Sequence, residues 1–370
     1  MIQVNTPLLD GNEIEYVLKA LKEGWISSEG PEVKKFEEQF SQKVGRKHGI
    51  AVSNGSVALD LAVIAAGIGP GDEVILPSFT IISPAAAIIR AGAKPVLIDS
   101  DLSTWNMNVD QIEEKITEKT KAIIVVHIYG LPADMNPILQ VAKKYNLIII
   151  EDAAEMHGQF YFSRPCGSFG HISTFSFYPN KHVTTGEGGM IVCNDDKIAD
   201  RCRLLRNLGF NQERRFVHYE LGWNYRITNL QCALGIAQLE RLDFFIAKKR
   251  AMGKLYTELL MNIQDLIQLP LVRTEYSENI YWVFGVLLKE KVLFDAQEAI
   301  KKMALEGIGC RPFFYPMHLQ PVFKKQNMFI NEKYKISEIM GERGFYLPSG
   351  LALKEEEIIT VADKLKKILV

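Results

Sequence analysis

The sequence predicts an α/β protein, because short β-branched runs alternate with longer amphipathic segments between about residues 50 and 195. Six runs have strand composition: 73–76, 95–98, 122–127, 147–151, 174–177 and 190–193. Segments with helical periodicity lie among them, at 57–66, 82–91, 109–116 and 137–145. The uninterrupted apolar run 147–150 is typical of a strand buried on both faces, and crossover helices favour a mostly parallel sheet with helices on both faces.

The rest of the chain has a different pattern, and 370 residues suggest roughly two domains. One long helix is predicted over 229–247, although Arg241 interrupts its apolar stripe. A strand over 280–288, a helix over 294–306 and a closing helix over 355–369 follow. We therefore expect a large domain at 1–245 and a smaller α+β domain at 246–370.

Composition excludes several functional classes. Lysine plus arginine is 43 against 44 acidic residues, so a strongly basic nucleic-acid binder is excluded and no anionic membrane partner is indicated. The five cysteines form no CxxC pair and the seven histidines no pair at metal-ligand helical spacing, so no metal site is predicted. The first 13 residues lack the basic and apolar regions of a signal peptide. A cytoplasmic protein is expected.

Asp152 is the first residue that could carry chemistry. It follows the apolar strand 147–151, and open α/β sheets place their ligands at the carboxyl ends of their strands. An ionised carboxylate in that position needs a partner to offset its desolvation. A helix N-cap is at least as good an explanation on spacing alone, because Ala-Ala-Glu follows.

Lys181 is the second, in a loop between two apolar strands that ends in the glycine cluster 186–189. Glycines permit close approach of the backbone to a ligand. A partly desolvated lysine has a lowered pKa and forms Schiff bases with carbonyls. A solvated lysine beside a turn is the alternative.

Gly55 and Ser56 are the third, at the start of the helix predicted from residue 57. Free N–H groups and a hydroxyl at a helix start form an anion site, although an ordinary serine cap explains them equally well. An anion site, an acid at a strand end and a lysine in a glycine-rich loop together match the needs of a pyridoxal phosphate enzyme.

The chain resembles the DegT/DnrJ/EryC1/StrS sugar aminotransferases, a group of fold type I pyridoxal phosphate enzymes. The resemblance covers nearly the whole sequence and rests on ordered segments: 24–28, 53–59, 127–130, 151–155, 175–177, 180–181, 186–189, 222–226 and 311–318. It implies a mixed, mostly parallel sheet with helices on both faces and a smaller C-terminal domain. It also implies pyridoxal 5′-phosphate as cofactor.

The resemblance also implies site residues. Lys181 matches the lysine that carries the cofactor and Asp152 the partner of its pyridine nitrogen. Ser176, Gly55 and Ser56 match the phosphate-binding residues. Glu155 stands where the family often has Gln or His facing the cofactor.

Asn224 matches an asparagine that reaches the phosphate of the neighbouring subunit, which implies a homodimer with shared active sites. The family usually stacks an aromatic residue on the cofactor ring at the position of Ile81. Either Ile81 packs there or Phe79 takes part, so the stacking residue stays unassigned.

Segments 151–158, 177–182 and 214–218 most resemble the family members that aminate C4 of GDP-4-keto-6-deoxymannose with L-glutamate as donor. A C4 or C3 aminotransferase of a UDP- or dTDP-keto sugar stays open. A pyridoxal phosphate-dependent sugar dehydratase is less favoured, because related dehydratases have His in place of Lys181. Five residues are candidates for sugar or nucleotide contact, each with an equally good structural explanation: Arg214, His218, Phe313, Tyr315 and His318.

Overall fold

The computed structural model describes residues 1–211, 214 and 216–369. Its central sheet has seven strands: β1 (His48–Val52), β2 (Glu73–Pro77), β3 (Lys94–Ile98), β4 (Thr120–Val126), β5 (Ile148–Asp152), β8 (Ile172–Ser176) and β9 (Gly189–Cys193). A separate hairpin lies between the fifth and sixth of these: β6 (Phe160–Tyr161) and β7 (Arg164–Pro165).

The central sheet runs in the order β1-β9-β8-β5-β4-β2-β3. Strands β3, β2, β4, β5 and β8 are parallel, whereas β9 pairs antiparallel with both β8 and β1. The predicted α/β class with a mostly parallel sheet is thus confirmed. Asp152 is the last residue of β5 and Ser176 the last residue of β8, so both lie at the carboxyl ends of adjacent parallel strands.

Helices cover both faces of this sheet. They are α1 (Glu13–Lys22), α2 (Pro31–Val44), α3 (Gly55–Ala65), α4 (Ser83–Arg90), α5 (Met135–Tyr145), α6 (Asp196–Arg206) and α7 (Asn229–Glu240). The neighbours Ile123 and Ile124 in β4 are fully buried in opposite cores, one of which includes Phe36 of α2 and the other Leu61 of α3. Because strand side chains alternate, only a sheet covered on both sides buries both.

The C-terminal part has its own antiparallel sheet, β10-β11-β13-β12, and its own core. Its strands are β10 (Ile267–Gln268), β11 (Phe284–Leu288), β12 (Arg311–Pro312) and β13 (Gly344–Leu347). Its helices are α8 (Leu242–Leu260), α9 (Ala296–Leu305), α10 (Pro321–Lys324), α11 (Lys335–Arg343) and α12 (Glu355–Leu369). No helix in the described part of the chain is long and apolar enough to cross a membrane.

Three predicted elements differ from the structure. The helix expected over 229–247 is two helices, because Arg241 leaves the helical conformation and its guanidinium pairs with Asp10. The segment 109–116 forms two 3₁₀ turns, the first capped by the Asn108 side chain, instead of one α-helix. The strand expected from 280 begins at Phe284, because Tyr281 has a positive φ of 48°. The predicted domain boundary at 245/246 falls inside α8 and stays a prediction.

Candidate active site

A cavity of about 770 Å³ lies at the carboxyl ends of β4, β5 and β8 and extends to the C-terminal sheet. This is where open α/β sheets bind ligands. All the predicted cofactor-binding side chains except Asn224 line it: Gly55, Ser56, Asp152, Glu155, Ser176 and Lys181. Residues from three separate stretches of sequence therefore meet in one place.

Lys181 follows a turn in which its N–H donates to the Tyr178 carbonyl at 2.9 Å. Its Nζ lies 3.9 Å from Glu155 Oε1 and 3.9 Å from the ring centroid of Trp282. Trp282 is held in turn, because its indole N–H donates to the Asn180 carbonyl at 2.8 Å. Burial lowers the pKa of Lys181 and outweighs the opposite effect of Glu155 and Asp152. A lowered pKa favours the nucleophilic free amine.

Asp152 and Glu155 are both buried beside this lysine. Asp152 Oδ1 accepts a hydrogen bond from the Ala154 N–H at 3.1 Å, and Oδ2 has no partner in the described part of the chain. Burial raises the pKa of Asp152. Glu155 Oε2 accepts from the Tyr129 N–H at 2.6 Å, and burial raises the pKa of Glu155 to about 8. Asp152 therefore has an oxygen available for a ligand, whereas Glu155 favours its neutral form.

Glu151, next to Asp152 in β5, has a structural role. It accepts hydrogen bonds from the Phe169 and Gly170 N–H groups at 2.9 and 3.0 Å and pairs with His127 Nε2 at 3.1 Å. The Ala133 N–H donates to His127 Nδ1, so both nitrogens of this cavity-lining histidine are used. Desolvation opposes ionisation of Glu151, but these contacts outweigh it and lower its pKa to about 2.

The start of α3 forms the anion-binding end of the cavity. Asn54 caps the helix by accepting from the Val57 N–H at 3.0 Å. A Cβ on Gly55 would lie 2.7 Å from the Cβ of Ser176, so only glycine allows α3 to begin against Ser176. The hydroxyls of Ser56 and Ser83 lie 2.8 Å apart at the same end.

The cavity fits a cofactor with an anionic group and a ring nitrogen. Among the residues that the structure describes, three lining side chains have buried polar atoms without a hydrogen-bond partner: Thr80 Oγ1, Thr174 Oγ1 and Asn180 Oδ1. Such orphaned groups are costly unless a ligand or water satisfies them. Together with Asp152 Oδ2 and the free N–H groups of α3, they supply donors and acceptors for a polar aromatic phosphate.

Ile81 and Phe79 differ in position. Ile81 lines the cavity and is 49% exposed. Phe79 is fully buried, packs against Tyr129, Phe313 and Phe314, and is not part of the lining. An aliphatic contact to a cofactor ring from Ile81 is thus available, and an aromatic one from Phe79 is not.

The five candidate substrate residues lie outside this cavity lining. Arg214 and His218 are exposed in the loop that follows α6, where His218 Nδ1 lies 2.9 Å from the Leu208 carbonyl oxygen. Phe313 is buried against Trp105 and Tyr129. Tyr315 is half exposed, and His318 is buried between Ser78 Oγ and Glu338 Oε1 at 2.8 and 2.9 Å.

Asn224 also lies outside the lining, in an extended segment paired with Asn207. Its neighbour Tyr225 does line the cavity.

Sequence reasoning missed the side of the cavity that the C-terminal sheet provides. Trp282, Tyr346, Arg311 and Phe314 line it, and we refer to them as the C-terminal wall. Arg311 lies in segment 311–318 of the family resemblance, which implies no role for it. Trp282 lies in the run 280–288, whose pattern predicts only a strand. Nothing local in the sequence shows that these side chains face Lys181.

Comparisons with known proteins agree with this geometry. The chain is 43% identical over 369 residues to a GDP-perosamine synthase from Caulobacter vibrioides, with 100% of this chain and 98% of the relative covered. An aminotransferase from Psychrobacter cryohalolentis superposes with a TM-score of 0.92 at 28% identity, over 98% of each chain. The PLP form of a putative sugar aminotransferase, Spr1654 from Streptococcus pneumoniae, superposes with a TM-score of 0.90 at 25% identity over 99% of each chain. The model of the DegT/DnrJ/EryC1/StrS aminotransferase family matches residues 7–366, and the chain therefore belongs to this family, whose cofactor is pyridoxal phosphate.

Proposed function

We propose that this protein transfers the amino group of L-glutamate to C4 of GDP-4-keto-6-deoxymannose and so forms GDP-perosamine. The observation that carries the transamination is the buried Lys181, held between Glu155 and Trp282 in a cavity that also contains Asp152 and Ser176. The choice of sugar nucleotide is supported by the relative that is 43% identical over the full chain.

Pyridoxal phosphate would be held by the residues described above. Ser176, Gly55 and Ser56 would bind the phosphate at the start of α3. Asp152 would pair with the protonated ring nitrogen, and Lys181 would carry the cofactor covalently. When bound, the cofactor supplies an electron sink for a carbanion next to the reacting nitrogen.

The chain's own residues perform the proton transfers. Lys181 Nζ, with its pKa lowered by burial, takes the proton from the donor Cα and returns a proton to the product. Asp152 would keep the ring nitrogen of the bound cofactor protonated by pairing with it. Glu155, favoured in its neutral form, adds no full negative charge beside Lys181 that would hold it as an ammonium ion. Asp152 and Glu155 are buried and the side chain of Lys181 is 10% exposed, so the reacting atoms lie at the inner end of the cavity.

The direct test is turnover of purified protein with GDP-4-keto-6-deoxymannose and L-glutamate, followed by mass spectrometry of the sugar nucleotide. We expect a GDP-aminosugar together with one 2-oxoglutarate per product. A panel of UDP- and dTDP-keto sugars tests the sugar nucleotide. Product without 2-oxoglutarate would indicate a dehydratase, and preference for a UDP or dTDP sugar would overturn the proposed substrate.

We also infer a homodimer in which Asn224 completes the site of the partner subunit. Two observations support it: Asn224 does not line the cavity of its own chain, and α1 and the segment after it expose Ile14, Trp25 and Ile26. Exposed apolar residues of this kind mark interaction surfaces.

Mixed dimers test the shared site. Lys181→Ala and Asn224→Ala should each be inactive alone, whereas their mixture contains dimers with one complete site and should recover activity. A mixture as inactive as its components would show that Asn224 acts within its own subunit, and full activity of Asn224→Ala alone would show that Asn224 has no role in the site.

A further inference from the structure

The charged groups that line the cavity are unevenly distributed. Asp152 and Glu155 lie beside Lys181, and the carboxylate of Glu187 is also part of the lining. Arg90 lines the cavity as well, but its guanidinium pairs with the buried Asp60, with Nε 3.0 Å from Oδ1. Apart from Lys181 and the start of α3, which the cofactor would occupy, the side of the large sheet therefore offers an anionic substrate little uncompensated positive charge.

Arg311 is different, because no carboxylate in the described part of the chain pairs with it. It lies on β12, the edge strand of the C-terminal sheet, where it pairs in register with Tyr346 of β13. Burial raises the pKa of Tyr346, and the nearby charge of Arg311 opposes this effect. Both side chains line the cavity, and the charge of Arg311 is left for a ligand.

The position of Arg311 indicates which part of a substrate it meets. Trp282 lies 3.9 Å from Lys181 Nζ, and the ring centroids of Trp282 and Tyr346 are 6.4 Å apart. Both rings and Arg311 belong to the C-terminal wall of the cavity that Lys181 lines. A ligand with its amino group near Lys181 can therefore extend along this wall and present its far end to Arg311.

We propose that Arg311 binds the side-chain carboxylate of a dicarboxylic amino donor and selects glutamate over uncharged amino acids. A guanidinium matches a carboxylate through two parallel hydrogen bonds, which gives geometric specificity as well as affinity. This inference rests on the proposed aminotransferase function and adds the basis of donor choice.

The test compares L-glutamate with its uncharged isostere L-glutamine in the first half-reaction. The wild-type holoenzyme should prefer glutamate. Arg311→Gln should lower kcat/KM for glutamate by about 10- to 150-fold, the range for a lost charged hydrogen-bond pair, mostly through KM. Its kcat/KM for glutamine should stay within about threefold of wild type. Arg311→Lys keeps the charge but loses the planar guanidinium that can form two parallel hydrogen bonds. We therefore expect an intermediate decrease in kcat/KM for glutamate.

A binding measurement keeps the inference testable apart from turnover. Glutarate carries the carboxylate and cannot react, so calorimetry should show weaker glutarate binding to the Arg311→Gln holoenzyme than to wild type. Arg90→Gln is the matched control, because the guanidinium of Arg90 already pairs with Asp60. This control should keep the glutamate preference. Near-ultraviolet circular dichroism checks that each variant is folded.

Two results would overturn the inference. One is an unchanged glutamate-to-glutamine ratio and unchanged glutarate binding in Arg311→Gln. The other is a raised KM for the sugar nucleotide with the donor unaffected, which would assign Arg311 to the diphosphate. If the wild type transfers no amino group from any donor, the proposed function fails, and glutarate binding still decides the role of Arg311.

Discussion

The two sides of the cavity are built differently. On the side of the large sheet, Asp152 and Ser176 end neighbouring parallel strands and Gly55 begins a helix that packs against Ser176. On the C-terminal wall, Trp282, Arg311 and Tyr346 come from a loop, an edge strand and its neighbour in a second sheet. The first side is acidic around one lysine, and the second carries an arginine that pairs with no carboxylate among the described residues.

This difference separates chemistry from selection. Groups that move protons must hold a fixed geometry. The carboxyl ends of parallel strands provide it, because each strand is hydrogen-bonded to its neighbours. Groups that choose among substrates lie on an edge strand, where one residue can change without disturbing a sheet buried on both faces. We therefore expect substitutions on the first side to act on kcat and those on the C-terminal wall to act on KM.

The largest effect should come from Lys181→Ala. We expect it to abolish turnover, because no other side chain in the lining offers an amine next to Glu155. Fold and cofactor retention should survive, since Ser176 and the start of α3 remain. Single-turnover release of 2-oxoglutarate measures the loss, and equilibrium dialysis measures bound cofactor. Turnover within tenfold of wild type would remove Lys181 from the mechanism.

Asp152→Asn should have the next largest effect. It removes a charged partner of the ring nitrogen, which corresponds to a loss of about 10- to 150-fold in kcat with cofactor still bound. Glu187→Gln is the control, because it removes a carboxylate from the same lining at an exposed position. Equal rates for Asp152→Asn and wild type would contradict the role of Asp152.

The same difference explains what could be predicted from sequence. Asp152, Lys181 and Gly55 were found because an apolar run, a glycine cluster and a helix start are local signals, and parallel strands bring such ends together. Strand β1 was missed, because His48 and Gly49 leave an apolar run of only three residues, 50–52, before Ser53. The C-terminal wall depends on how two sheets pack, which no local pattern records. His318 and Phe313 follow Arg311 closely in sequence, yet their side chains are buried away from the cavity.

A substitution of His318 should have a smaller effect, on stability and not on substrate binding. Its ring links Ser78 near the end of β2 to Glu338 of α11, so His318→Ala leaves the buried Ser78 hydroxyl without this partner. We expect a loss of about 1–3 kcal/mol in the free energy of unfolding and no change in either KM. Tyr315→Ala, at a half-exposed neighbouring position, should cost less than about 0.5 kcal/mol. A raised KM in His318→Ala at unchanged stability would instead assign this residue to substrate binding.

The smallest expected effect is a change in how the free energy of unfolding depends on pH in the Glu155→Gln variant. Burial raises the pKa of Glu155 from 4.5 to about 8. Between these two pH values, the folded apoprotein therefore binds a proton at Glu155 that the unfolded chain has released. Stability from this group is full below about pH 4.5 and falls as pH rises toward 8. Glutamine cannot ionise, and removing Glu155 also lowers the pKa of Lys181 further, which acts in the same direction. Urea midpoints of unfolding at pH 5 and pH 8 should therefore show that the stability of Glu155→Gln increases relative to wild type as the pH rises. The control Glu187→Gln, at an exposed position, should keep the pH dependence of wild type. Parallel slopes for Glu155→Gln and wild type would mean that Glu155 is ionised beside Lys181, and the acidic side of the cavity would then hold its lysine as an ammonium ion instead of a free amine.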